Sequence, residues 1–420
     1  CWGRRRGWWA VGRGASKESV SAKRDQRYPI RRLKASHANP PDNPQLLQQL
    51  GVVPYQQRFP WIGGDLQTLR DTLRPVSLPP DRGEPIPIAV PALASGAAAA
   101  GELLAFLDRP DLSFDLQGAP PRALVLLLHG LGGSSRREGL RRLGIALQNS
   151  GFAVLRLNLR GADPGRHLAG GTYAARCNSD LLPVIQRARQ LCAELVASAR
   201  PLPLFGAGVS LGGTMLLNAC MASVEERATH GWEGHAPLLD GLFCASSPLD
   251  LAACSASIER PRNRVYQRWL LKRLVRQTLA DPFGVSAQEQ QRLTGDPPRS
   301  IRAFDEAVTA PRWGFSSVDD YYAGASPLPR LLSASQPLPP TLILQALDDP
   351  WVPATSAIQL QTTVVADGLP PGRRRLEVLL TAQGGHNGFH GPGDSLLKGC
   401  WSGRLAGCWF NHGIDTSGIE

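Results

Sequence analysis

"LFGAGVSLGGTMLLNACMA", residues 204–222, sets one serine, Ser210, between glycines and follows it with apolar residues at helical spacing. The match to G-x-S-x-G is Gly208, Val209, Ser210, Leu211 and Gly212. In a chain with 44 glycines among 420 residues, chance supplies roughly a third of such a match, so the motif alone decides little. Its context adds more. Residues 204–207 read as the end of a strand and residues 211–221 as a helix, which is the setting of a serine on a sharp strand-to-helix turn. Flanking glycines suit that turn because side chains there would collide.

Outward from this stretch the chain alternates short apolar runs with amphipathic helices. "RALVLLLHG", "FAVLRLNL", "PLPLFGAGVS", "LDGLFCASSP", "TLILQALDD" and "RRLEVLLTA" read as strands buried on both faces. Helices are expected over residues 138–149, over residues 181–195, where Leu181, Leu182, Ile185, Ala188, Leu191 and Leu195 recur at steps of three and four, and over residues 211–222. The alternation predicts an α/β fold: a mostly parallel central sheet with helices on both faces. Between about residues 248 and 339 the strands lapse and helical patterns follow one another. Such an insertion before the penultimate strand lies near the carboxyl ends of strands, where ligands bind, and is expected to be a helical cap. "CWSGRLAGCWF" is expected to close the domain as a final helix.

Composition bounds the rest. Hydrophobic residues make up 42% and charged residues 19%, which suits a folded body. Net charge is +11, but residues 1–37 hold eleven Lys and Arg against Glu18 and Asp25, leaving only +2 for the remainder. The domain organisation expected is a basic, disordered leader over 1–45, one folded domain over 46–410 and a tail over 411–420. The leader, with Trp2, Trp8 and Trp9 interleaved, leaves room for peripheral membrane contact; no specific nucleic-acid partner is expected. Eight cysteines form no C-x-x-C pair and point to a reducing, cytoplasmic setting. No run of 18 apolar residues occurs, so the chain reads as soluble.

The chemistry needs three further parts. A serine hydroxyl is a poor nucleophile until a base takes its proton, and the base needs a carboxylate to orient it. "HGLGGSS", residues 129–135, follows a strand and can aim the Leu131 N–H into the site; with the Leu211 N–H it would form an oxyanion hole. It lacks the G-x-G-x-x-G spacing of a dinucleotide loop, and His129 reads as structural. Asp348 and Asp349 follow the strand "TLILQAL". Spacing does not choose between them; Asp349 is preferred because it precedes the proline-bounded turn Pro350-Trp351-Val352-Pro353, with Asp348 as the alternative. His386, on the glycine-rich loop "TAQGGHNGFHGPG", is the expected base. His390 could pair with it on a metal only along a helix, which Gly388, Gly391 and Pro392 deny, so His390 is expected at the surface or behind the site. No cofactor and no metal are expected.

With these residues in place, the chain resembles the α/β-hydrolase superfamily and, within it, the YheT-type family. "RFPWIGGDLQTL" resembles that family's W-x-x-G-H-L-Q-T lead, with Asp65 where histidine is usual. "LLLHGLGGS", "NLRGAD", "GVSLGGT" (with Thr214 for asparagine), the helical segment from "RVYQRWLLKRL" to "ASPLPRL", and "ALDDPWVP…GGHNGF" follow in the family's order. The resemblance implies a serine hydrolase acting on carboxylic esters, among them acylglycerols or short- and medium-chain acyl esters, through an acyl-enzyme. It also implies Ser210, Asp349 and His386 as nucleophile, acid and base. The alternatives are an acyltransferase on the same triad and a non-catalytic binding module of the same fold.

Overall fold

The computed structural model describes residues 43–110, 120–196, 200–232, 237–333, 338–366 and 375–417. Eight strands form one sheet: β1 (Glu84–Val90), β2 (Gly101–Asp108), β3 (Leu124–Leu128), β4 (Ala153–Leu157), β5 (Leu204–Val209), β6 (Gly241–Ala245), β7 (Thr341–Ala346) and β8 (Leu376–Thr381). Their order is β1-β2-β4-β3-β5-β6-β7-β8. β4, β3, β5, β6, β7 and β8 run parallel, while β1 and β2 add an antiparallel hairpin at the β4 edge.

β3 explains why these strands read as continuous apolar runs. Leu124, Leu126 and Leu128 enter one hydrophobic core with Leu181, Ile185, Met215 and Leu217. Val125 and Leu127 enter another, on the opposite face, with Leu140, Leu147, Trp401 and Phe410. A strand alternates faces with period two, so covering both faces requires every position to be apolar. Each fully buried leucine contributes about 2 kcal/mol from desolvation.

The expected hydrolase sheet is present, but the hairpin β1–β2 was not legible. β1 carries Pro85 and Pro87 outward and buries Ile86, Ile88 and Val90. Prolines, which cannot donate to a ladder, are tolerated because this strand is the edge of the sheet. Polarity intrudes once more at Arg156 in β4, which is 2% exposed and lies between Asp81 and Asp108 at 2.7 and 2.5 Å. That closely paired guanidinium fixes the turn before the sheet against the hairpin.

Between β6 and β7 the described residues form only helical segments, chiefly Leu251–Ile258, Arg264–Leu279, Ala287–Thr294 and Val318–Ala325. Ile258, Leu270, Leu274, Leu293, Ile301, Phe304 and Val308 give this insertion a small core of its own. The leader expected over 1–45 lies outside the described residues up to 42; at its end Asn43 caps the helix Pro44–Gln49 by accepting from the Leu46 N–H. The expected tail is corrected over its first part: the last helix runs Trp401–Ser417, held by Phe410 and Trp409 in the core. No helix among the described residues is long and apolar enough to cross a membrane.

Candidate active site

Ser210 stands between β5 and the helix Leu211–Cys220, with φ 54° and ψ −130°. A positive φ at a residue with a side chain is strained, and packing has to hold it. Here the Ser210 N–H donates to the Ala245 carbonyl of β6 at 2.8 Å. Two of the glycines are needed sterically. A Cβ on Gly208 would lie 2.4 Å from Gly213 backbone, and one on Gly212 would lie 2.7 Å from the Leu128 carbonyl oxygen. The turn therefore closes only with glycine at both places.

His386 reaches the serine from the loop after β8. Its Nε2 lies 2.9 Å from Ser210 Oγ and its Nδ1 2.9 Å from Asp349 Oδ2. Asp349 Oδ1 accepts the N–H groups of Trp351 and Val352, at 2.8 and 3.0 Å, and Gln345 Nε2 reaches Oδ2 at 3.3 Å. The carboxyl is wholly buried and ringed with donors, an arrangement that holds it immobile. With Nδ1–H donating to it, Nε2 presents its lone pair to the serine hydroxyl. The Trp351 ring stacks on the imidazole at 4.4 Å and 27°.

The neighbouring aspartate has a different task. Asp348 Oδ1 accepts the Gly385 N–H at 2.8 Å, fastening the histidine loop one residue before His386. Burial, with Asp349 beside it, raises its carboxyl above the ordinary value. Geometry thus separates the pair: Asp349 meets the imidazole and Asp348 the loop that carries it. A second fastening comes from an unexpected quarter. Thr68 Oγ1, on the helix Gly64–Leu73 ahead of the sheet, accepts the His386 N–H at 2.8 Å. Nothing in the spacing of residues 64–73 signals this contact.

Leu131 and Leu211 both border the same cavity as Ser210 and His386. Among the described residues neither backbone N–H has a carbonyl partner, whereas the intervening Gly132 N–H is taken by the Tyr173 hydroxyl at 2.6 Å. The loop comes close enough that a Cβ on Gly130 would sit 2.8 Å from Ser210 Cβ. His129 is buried behind it. Its Nδ1 lies 2.9 Å from the Gly130 carbonyl, and its Nε2 accepts the Leu159 N–H at 3.3 Å. Burial lowers its pKa to about 4, so it stays neutral and holds the loop.

Of the two places expected for His390, at the surface or behind the site, the surface is ruled out by its burial. His390 is 3% exposed and lies 3.5 Å from both Asp71 and Asp394, apart from the Ser210 cluster. Gln67 brackets its backbone, accepting its N–H and donating to its carbonyl, because the loop folds against the helix Gly64–Leu73. Asp65, at the start of that helix, accepts from Arg262 and Tyr266 of the insertion, each at 3.0 Å.

The cavity over Ser210 has a volume of about 340 Å³. Leu251, Ile258, Leu270, Leu274 and Phe304 give it an apolar wall from the insertion, and Asp305 and Tyr322 add a polar corner. The Tyr322 hydroxyl donates to Asp305 at 2.9 Å.

Residues 125–395 match the Alpha/beta hydrolase family. The putative esterase YheT of Escherichia coli (strain K12) is 32% identical over 281 residues, covering 64% of this chain and 71% of that protein. Phospholipase ABHD3 of Homo sapiens is 29% identical over 283 residues, covering 67% of this chain and 61% of its own length. The chain thus spans about three fifths of the ABHD3 phospholipases it matches. The medium-chain fatty acid ethyl ester synthase/esterase 2 of Saccharomyces cerevisiae is 28% identical over 255 residues, 54% of this chain and 51% of that one. Among solved structures, a soluble variant of monoglyceride lipase from Saccharomyces cerevisiae aligns with TM-score 0.48 and 16% identity over 80% of this chain and 98% of that one. By the family match and by its likeness to YheT, the chain belongs to the α/β hydrolase family, in its YheT-type branch.

Proposed function

We propose that this protein hydrolyses carboxylic esters through an acyl-enzyme on Ser210. The observation that carries the reading is the unbroken hydrogen-bond chain Asp349–His386–Ser210 at the floor of an apolar cavity. As Ser210 Oγ attacks the ester carbonyl, His386 Nε2 takes its proton and Asp349 steadies the imidazolium. The carbonyl oxygen, now anionic, accepts from the Leu131 and Leu211 N–H groups, which among the described residues have no carbonyl partner to give up. His386 then protonates the leaving alcohol. In the second half it removes a proton from water, which attacks the acyl carbonyl and frees Ser210. No step needs a cofactor.

The insertion over 248–339 serves as a cap, and its apolar wall takes the acyl chain of an acylglycerol or a short- to medium-chain ester. The protein works in the cytoplasm, and the basic leader over 1–45 leaves room for peripheral membrane contact. The yeast relative named both synthase and esterase favours a second outcome, in which an alcohol rather than water accepts the acyl group.

The test is labelling with a fluorophosphonate, which should give one adduct located on Ser210 by mass spectrometry and none in Ser210→Ala. Folded protein that takes no label would defeat the proposal. Turnover of an activated ester in ethanol then separates the two outcomes: ethyl ester as the main product identifies acyl transfer, free acid hydrolysis.

A further inference from the structure

A second cavity, of about 380 Å³, adjoins the one over Ser210; the two share Gly133, Arg137 and Gln277 in their walls. Three separate elements bring arginines to it. Arg136 and Arg137 come from the end of the glycine loop, Arg166 from the connection after β4, and Arg273 and Arg276 from the cap helix Arg264–Leu279. On that helix Arg273, Arg276, Gln277 and Ala280 fall at steps of three and four, so they form one face turned to the loop.

Five guanidiniums in one pocket are not the by-product of a basic surface, because the chain beyond residue 37 carries a net charge of only +2. Nor are they neutralised where they stand. The single acidic residue in the wall, Asp163, pairs with Arg166 at 2.7 Å. Asp81 reaches Arg136 only at 3.9 Å and already binds Arg156. Among the described residues Arg137, Arg273 and Arg276 have no carboxylate within 4.0 Å. Arg273 Nε is buried without a hydrogen-bond partner among the described residues, its guanidinium lying over the Trp269 ring. Burial and the charge of Arg276 together push Arg137 below its ordinary pKa, the mark of uncompensated crowding.

Like charges held together in a cleft focus a positive field and favour an anion that accepts several N–H groups at once. Guanidinium forks fit tetrahedral phosphate oxygens in pairs. The pocket is also tied to the reacting centre. The Arg273 side chain packs on Gly132, where a Cβ would meet its Cδ at 3.0 Å, and Gly132 follows Leu131 in the loop beside Ser210.

We propose that this arginine-lined pocket binds the phosphate group of a phosphorylated ester substrate, placing its acyl carbonyl over Ser210. The proposal rests on the ester-hydrolase reading and names its substrate class: acyl esters of a phosphate-bearing alcohol. The cap helix supplies both an apolar wall for the acyl chain, through Leu270 and Leu274, and the anion-binding face one turn away.

Two measurements test it, with Arg136→Gln/Arg276→Gln as the variant, since both side chains are exposed and border only the second pocket. First, glycerol 3-phosphate and inorganic phosphate are titrated against the catalytically silent Ser210→Ala protein, following its melting temperature and calorimetric heat. Glycerol 3-phosphate should bind and raise the melting temperature, and the added double substitution should abolish the effect. Second, kcat/KM is compared for 1-acylglycerol 3-phosphate and 1-acylglycerol of one acyl length. The phosphorylated ester should be preferred by about ten- to a hundredfold, and the double variant should lose that preference while hydrolysing the neutral ester as before.

Equal kcat/KM for the two esters in the unaltered protein overturns the proposal, as does arginine-independent phosphate binding. Inorganic phosphate bound without any ester preference also overturns it, by identifying a site for the free anion. Arginine-dependent binding with neither ester hydrolysed strikes instead at the ester-hydrolase reading.

Discussion

On the sheet side of the cavity, the groups in line for chemistry are held from several directions. Asp349 receives Trp351, Val352, Gln345 and His386; His386 is fixed by Thr68 at its backbone and Trp351 across its ring; Ser210 is pinned to β6. On the cap side, polar groups are buried with capacity left open. Among the described residues Thr278 Oγ1 and Arg273 Nε have no partner, and the Asp305 carboxyl faces the cavity with hydroxyls but no cation beside it. Reacting groups held from several sides beneath a cap with open hydrogen-bonding capacity are what a fixed reaction with a separately chosen substrate requires. Reacting groups lose rate with small displacements, while a recognition wall gains by leaving its hydrogen bonds for the ligand.

The floor should break sharply. Ser210→Ala is expected to lower kcat on an activated ester by about a million-fold, and Asp349→Asn by about ten-thousandfold, with circular dichroism unchanged. Asp348→Asn keeps an acceptor for the Gly385 N–H and should cost no more than about tenfold. Equal losses from the two aspartate variants would erase the division of labour drawn from their geometry.

The two walls should also respond oppositely to acid. His129, below the floor, has its pKa lowered from 6.5 to about 4 by burial, so only the unfolded chain takes up a proton between those values. Its contribution to stability is present above pH 6.5 and is lost as pH falls towards 4. Asp305 in the cap is raised from 3.8 to about 6 by burial, against the opposing hydrogen bonds of Thr309 and Tyr322. It takes its proton first when folded, so the penalty of burying its charge is present above pH 6 and disappears as pH falls to about 4. Urea denaturation at a series of pH values checks both signs. Asp305→Asn should stabilise the protein at pH 8 by at most about 3 kcal/mol and have no such effect near pH 3.5. A gain that persists undiminished at pH 3.5 would mean that Asp305 is neutral throughout.

The smallest effect is expected at the seam between the walls. Asp65 ties the helix Gly64–Leu73 to the cap through Arg262 and Tyr266, both reachable by solvent. Exposed pairs of this kind contribute about 0–1 kcal/mol. Asp65→Ala should therefore shift KM for a long-chain ester by about two- to fivefold and leave kcat on a short activated ester unchanged. A matched fall in kcat on both esters would show that the seam holds the floor rather than the cap.

The floor was legible in the sequence because its parts are local. A strand buried on both faces must be apolar throughout, and a sharp turn must carry glycine, so β3 to β8 and the Ser210 turn announce themselves. The choice between Asp348 and Asp349 was open because both follow the same strand end, and only the direction of each carboxyl separates them. β1 was hidden by Pro85 and Pro87, which break a strand pattern everywhere except at an edge. Gln67 and Thr68 stand in the lead that resembles the YheT-type family, but their contacts were beyond reach for another reason: the partners lie more than three hundred positions away. The arginine pocket is of the same kind, its members scattered over residues 136–276 and assembled only by folding.

The early clamp has a practical consequence for dissecting the protein. A fragment cut at the start of the family match, near residue 125, would retain the serine, the acid, the base and both glycine loops, and would satisfy every catalytic motif. It would nonetheless lack the threonine beneath the histidine loop and the Val53 carbonyl that receives the Trp401 indole N–H from the final helix. Such a piece should fold poorly and react sluggishly, and its silence would be mistaken for the silence of a pseudoenzyme.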